Sequence, residues 1–267
     1  MEGLTGFFEE KYLEFLHQSY FSEAEQRVIS NGRYLPSKPW MIGSLVADAE
    51  RLITFRKSKI LDLGSGHGFT MAAFALHECK VYGIEDKVRR ENLYFHFGKA
   101  PDIYREQYED FEGANSNPIT PEEYEKAYYR VTDPIGFCRS RFLELGLAEP
   151  QVMEANYYDP KIYENTFADG TRIQDIDFFH CDAVRKVHAR YVIAKVLAGQ
   201  GKAREGSIAF VGFRSDFIGE HHKKWLEGIG FESIRPYFVR KVKSIEVDSV
   251  ELSLLELTCR RQYVPGI

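Results

Sequence analysis

Cysteine is scarce: of 267 residues only Cys79, Cys138, Cys181 and Cys259 are cysteine, and no two of them form a CxxC pair. That spacing suggests neither a zinc cluster nor a disulfide framework, and it suits a reducing compartment. Long apolar runs are also missing, since none approaches the roughly 18 residues that a membrane-crossing helix needs. The amino terminus, MEGLTGFFEEKYLEF, has acids and aromatics where a secretory leader would carry a basic stretch and then an apolar one. An intracellular protein, cytoplasmic or nuclear, with no membrane partner is therefore expected. Positive charge is in deficit as well: 35 Lys and Arg stand against 40 Asp and Glu, a formal charge of -5. Such a chain has no global attraction for nucleic acid or acidic membranes. Internal repeats and low-complexity tracts are absent.

What is present is enough to fold. With 44% hydrophobic residues over this length, the chain can bury a full core without a partner. Apolar positions at helical spacing, among them Phe8, Tyr12, Phe15 and Leu16, predict an amino-terminal helix within residues 5–30. Pro36 and Pro39 break the pattern before a helix over Met41 to Leu52. Strands are then predicted at 59–63 and 80–85 around a helix from Phe69 to Glu78, one βαβ unit with parallel pairing. The pattern degrades between about 87 and 135, read as an insertion rich in acids and aromatics. Alternation resumes with a helix over Ile135 to Leu147 and strands at Gln151 to Ala155, Ile176 to Phe179 and Ser207 to Phe213, with helices over Val184 to Leu197 and Glu220 to Ile229. Two β-type runs, Arg235 to Glu246 and Val250 to Cys259, predict an antiparallel carboxy-terminal hairpin. The expected fold is α/β: a doubly wound, mostly parallel seven-stranded sheet with that hairpin at its end. Residues 1–54 are expected to form a helical cap and 55–267 the main domain, with the insertion at about 87–135.

The segment richest in chemistry is Ile60-Leu61-Asp62-Leu63-Gly64-Ser65-Gly66-His67-Gly68-Phe69-Thr70. Glycines directly after a buried strand let the backbone turn sharply and come against a ligand where a Cβ would collide. In an open α/β sheet, ligands bind at this carboxyl end. The next strand ends in Glu85, whose carboxylate can accept both hydroxyl protons of a ribose. A dinucleotide site shares these features, but its fingerprint wants GxGxxG, whereas the glycines here fall as GxGxG and Phe69 takes the last required place.

Asp62-Leu63-Gly64-Ser65-Gly66-His67-Gly68 followed by Gly83-Ile84-Glu85 resembles the first two motifs of class I methyltransferases. The resemblance implies S-adenosylmethionine as cofactor, bound by Asp62, Gly64, Ser65, Gly66, Gly68 and Glu85, with Asp62 toward the methionine end. By location it adds Asn156, or Asp159, near the adenine, and Phe179 beside the site; Tyr157 and Tyr158 could stack there. It also implies a carboxy-terminal antiparallel strand. A non-catalytic domain that keeps the fold is the alternative.

In that superfamily the end of the fourth strand faces the methyl group, which places His180 and Asp182 beside the acceptor, with His180 as a base near neutral pH. His67, in the variable place of the loop, is expected to face solvent or the amino-acid end of the cofactor. No polar-Pro-Pro-aromatic motif and no Lys-Asp-Lys-Glu tetrad occurs, so nucleic acid is a disfavoured acceptor. Tyr34-Leu35-Pro36-Ser37-Lys38-Pro39 is similar to the pre-motif loop of non-SET protein-lysine methyltransferases of the disruptor-of-telomeric-silencing type, which makes Tyr34 a candidate at the catalytic centre. That reading implies a basic protein tail as partner, drawn by acids of the insertion such as Asp102, Glu106, Glu122 and Glu123. The other reading compares Ile176 to Asp182 with small-molecule O-methyltransferases, whose divalent cation acidifies a hydroxyl. Its further metal acids are missing here, so no metal site is expected.

Overall fold

A computed structural model describes residues 20–31, 45, 46, 49, 51–53, 57–85, 100–111, 119–155, 160–181, 203–211, 220–235 and 238–243. The chain divides into two compact units, one of residues 52–64, 77–86 and 151–267, the other of 1–51, 65–76 and 87–150.

The first unit holds the sheet. Its strands are β1 (Lys59–Leu63), β2 (Lys80–Glu85), β3 (Gln151–Glu154), β4 (Phe178–Cys181), β5 (Ile208–Val211), β6 (Phe231–Arg235) and β7 (Phe238–Lys241), in the order β3-β2-β1-β4-β5-β7-β6. Strands β1 to β5 run parallel, and β7 is antiparallel to both β5 and β6. This is the doubly wound seven-stranded Rossmann-like sheet of the methyltransferase type, with its antiparallel end. Side chains of adjacent strand residues point to opposite faces. One face carries Leu61, Leu63, Tyr82, Ile84, Phe179, Ala209 and Val239 into a core with Ile162, Phe167, Ile176 and Leu226. At roughly 25 cal/mol per Å² of apolar surface removed from water, this core is the main stabilising term of the unit.

Two departures from the sequence-based expectation have a local reason. Strand β4 starts two residues late because Ile173–Asp175 form a single 3-10 turn, closed by hydrogen bonds between Arg172 and Asp175. Asp177 then caps neighbouring strands: its Oδ2 accepts from the Lys59 amide at 2.8 Å, and its own amide donates to the Lys59 carbonyl at 2.9 Å. The hairpin lies at 231–241 and is shorter than the two long arms predicted. It begins after a left-handed Gly230 (φ 87) that ends the helix Glu220–Gly228. Among the described residues its outer strand β6 pairs only with β7, with a bulge between Ser233 and Arg235. The predicted arm Val250 to Cys259 and the helix Val184 to Leu197 lie outside the described residues.

The second unit is helical: α1 (Glu23–Asn31), α2 (Phe69–Ala75), α3 (Pro101–Phe111), α4 (Pro121–Val131) and α5 (Pro134–Glu144). Helices α3 and α4 occupy the stretch that had shown no clear pattern. Their inner stripe is tyrosine instead of leucine, and the Tyr104 and Tyr124 rings lie stacked 3.8 Å apart. Helix α4 begins with a capping box, in which Thr120 Oγ1 accepts from the Glu123 amide and Glu123 Oε2 accepts from the Thr120 amide at 2.8 Å. Tyr20, Phe21, Phe69, Phe74, Phe137 and Phe142 fill the interior. A buried carboxylate, Glu25, sits among them and is compensated by Arg141 at 2.8 Å, Arg130 at 3.2 Å and the Ser22 amide at 2.7 Å. Buried charge of this kind persists only when paired and hydrogen-bonded.

Candidate functional site

The parallel ladder fixes which side chains meet at the carboxyl edge. Asp62 on β1 is directly opposite Gly83 on β2 and His180 on β4, and His180 is opposite Phe210 on β5. Partners in a ladder share a face, so these residues form one row across the sheet, on the face opposite the core cluster. Two residues beyond Gly83 on the same face is Glu85, half-buried at the strand tip, and opposite it is Glu154 of β3. Four chemically active side chains, Asp62, His180, Glu85 and Glu154, are thereby presented along one edge.

Asp62 and His180, expected separately as a cofactor anchor and a catalytic base, are hydrogen-bonded to each other. The distance from Asp62 Oδ1 to His180 Nδ1 is 2.7 Å, and each residue is 3% exposed. A carboxylate offers only acceptors, so Nδ1 carries the proton and donates. The imidazole also stacks against Phe210, with ring centroids 5.4 Å apart and planes within 13°.

Beyond β1 the glycine loop adopts the geometry that its composition predicts. The Gly64 amide donates to the Ile84 carbonyl at 2.9 Å, and the Gly68 amide to the Ser65 carbonyl at 2.9 Å. Gly64, Gly66 and Gly68 have φ of 77, 52 and 81, a left-handed conformation that costs other residues roughly 1–2 kcal/mol. A Cβ on Gly68 would lie 2.3 Å from Cys138 Sγ. Ser65 is only 7% exposed, and its Oγ is buried without a hydrogen-bond partner among the described residues. Unsatisfied buried hydroxyls are uncommon because each costs about 1–3 kcal/mol. Left-handed backbone and a buried hydroxyl with no partner among the described residues fit a polar ligand seated on this loop.

Two predicted placements need correction. Phe179 does not line the edge: it is 1% exposed and packs into the core, because its position in β4 has the opposite parity to His180. His67 does not face solvent. It is buried, with Nε2 2.7 Å from the Val131 carbonyl, its own carbonyl accepting from Tyr20 Oη at 2.7 Å, and its ring edge-on to Phe21 and Phe137. Burial lowers its pKa from 6.5 to about 4, so it is a neutral structural group. Tyr34, Asn156, Asp159 and Asp182, with Tyr157 and Tyr158, lie outside the described residues. Glu154 is the residue that sequence reasoning missed; only the β2–β3 register, which pairs it with Glu85, reveals it. Among the described residues no group of three or more His, Cys, Asp or Glu could hold a metal ion, and no helix is long and apolar enough to cross a membrane.

No protein-family model matches the chain, and no curated protein matches it. Solved structures with similar folds include a proposed RNA methyltransferase from Pyrococcus horikoshii, at 11% identity over 84% of this chain and 100% of that one, with a TM-score of 0.47. A second is an S-adenosylmethionine-dependent methyltransferase from Geobacter sulfurreducens in complex with S-adenosyl-L-homocysteine, at 13% identity over 81% and 74%, TM-score 0.41. A third is a point variant of MtNAS in complex with S-adenosylmethionine, at 13% identity over 88% and 77%, TM-score 0.43. At these identities the strand order itself defines the fold.

Proposed function

We propose that this chain is a methyltransferase that binds S-adenosylmethionine at the carboxyl edge of its sheet. The observation that carries the reading is the loop that follows β1 in sequence, with three left-handed glycines and a buried Ser65 hydroxyl that has no hydrogen-bond partner among the described residues; the sheet itself adds the row that holds Asp62 and Glu85. A polar ligand with an amino-acid end and a ribose matches that set. Asp62 would accept from the amino group, Glu85 would accept from the two ribose hydroxyls, and Ser65 with the loop amides would hold the carboxylate side. The cofactor supplies an electrophilic methyl group on a sulfonium.

The acceptor carried with this reading is a protein side chain, lysine first. Its support is the likeness of Tyr34 to Pro39 to the lysine-modifying enzymes and the exposed acids Asp102, Glu106, Glu122 and Glu123 on α3 and α4, which would favour a basic tail. Methyl transfer to a basic protein that resists chelator supports it; magnesium-dependent transfer to a phenol alone overturns it in favour of a small-molecule enzyme.

Calorimetric titration with S-adenosylmethionine and, separately, NAD tests the cofactor. Binding of the first with micromolar affinity and none of the second is expected. Gly66→Arg, which fills the loop and strains a left-handed position, should abolish binding while the circular dichroism spectrum stays unchanged. Binding of NAD alone, or affinity untouched by Gly66→Arg, would sink the assignment.

A further inference from the structure

The carboxylate of Asp62 is held asymmetrically. On the β4 side it receives the Nδ1 proton of His180 at 2.7 Å. On the β2 side its ladder partner is Gly83, which has no side chain. His180 is itself confined, buried at 3% exposure and flat against its own ladder partner Phe210. A ring with one nitrogen committed to a carboxylate and one face on an aromatic side chain is fixed in tautomer and orientation, and it fixes the carboxylate in turn.

We infer that His180 is a positioning residue for the cofactor's amino-acid end, and not the base that takes a proton from the methyl acceptor. It fixes the plane of the Asp62 carboxylate through Oδ1, so that the remaining oxygen, Oδ2, is oriented for a cationic α-amino group. Without the Nδ1 donor the carboxylate is free to rotate, and the ordering that binding requires is no longer met in advance. The inference rests on the proposed cofactor reading and adds a residue that the reading does not require. It implies selectivity: His180 matters for ligands bearing the amino acid and not for those that stop at the thioether.

Two probes separate the outcomes, S-adenosylhomocysteine, which has the amino-acid end, and 5′-methylthioadenosine, which lacks it. Affinities for both are measured by calorimetry near pH 7.5 in the wild type, in His180→Phe, which keeps a ring on Phe210 but has no donor, and in His180→Asn, whose amide nitrogen occupies the place of Nδ1. The phenylalanine variant should bind S-adenosylhomocysteine at least tenfold more weakly while its affinity for methylthioadenosine stays within twofold. The asparagine variant should recover most of the loss. Equal weakening of both ligands would reduce His180 to a structural role, and unchanged affinity for both would overturn the inference outright. Wild-type protein that binds neither probe would instead remove the cofactor reading, and this inference with it. Should His180→Phe fail to fold, the comparison of His180→Asn with His180→Gln, whose amide extends to the place of Nε2, carries the same test: discrimination by asparagine alone is expected, and identical behaviour of the two refutes it.

Discussion

At the scale of single residues, positions that look alike in sequence are separated by burial and backbone conformation. Gly64, Gly66 and Gly68 are all left-handed, and Gly68 is in addition backed by a side chain, with Cys138 Sγ 2.3 Å from where its Cβ would be. Gly68→Ala should therefore combine conformational strain with overpacking, a loss of about 2–4 kcal/mol in urea unfolding. The two histidines near the motif also part company. His67 is lowered to about 4 by burial, against its ordinary 6.5, so between these values the unfolded chain binds a proton that the folded chain refuses. Its contribution is complete above pH 6.5 and is lost as pH falls toward 4, on the order of 3 kcal/mol at the lower end. Urea unfolding at pH 7 and pH 4.5 should show that slope in the wild type and a flatter one in His67→Gln; equal slopes would refute it. Lys241, 1% exposed with Nζ donating to the Ala203 carbonyl at 2.5 Å, has its pKa lowered by burial in the same sense.

At the scale of elements, local signals predicted well wherever the element is closed by its own residues. Strands β1 and β2 fall on the predicted residues, because each is a short apolar run with turn residues at both ends. Helix α4 shows the limit. Its capping box, Thr120 to Glu123, went unread in the sequence, and its apolar stripe of Tyr124, Ala127, Tyr128 and Val131 is too tyrosine-rich to stand out by hydropathy. Thr120→Ala should remove the box and cost about 1 kcal/mol, a fall of a few degrees in the melting temperature; no change would mean that Pro121 at the first helical position suffices. The buried network on α1, α4 and α5 is a stronger case. Arg141→Met withdraws the closest cation from Glu25, which is 2% exposed, and should destabilise by about 3 kcal/mol since a buried charge is left undercompensated.

At the scale of the whole molecule, ligand binding and stability are linked. A ligand at one hundred times its Kd stabilises the folded state by about 2.7 kcal/mol, so the melting temperature should rise steadily with S-adenosylmethionine and stay flat with NAD. A flat response to both contradicts the proposed cofactor. The sequence by itself determined the α/β alternation, the glycine turn after β1, the carboxylates Asp62 and Glu85 and the antiparallel end of the sheet, because these depend on short-range periodicity and on residues that only certain backbone conformations accept. It could not determine that Asp62 meets His180, that Glu154 stands beside Glu85, that Phe179 turns into the core or that His67 is sealed among aromatic rings. Those facts are set by strand register and helix packing between residues as much as 118 positions apart, where a shift of one residue exchanges the two faces of a strand, and only the tertiary structure decides which face each side chain takes.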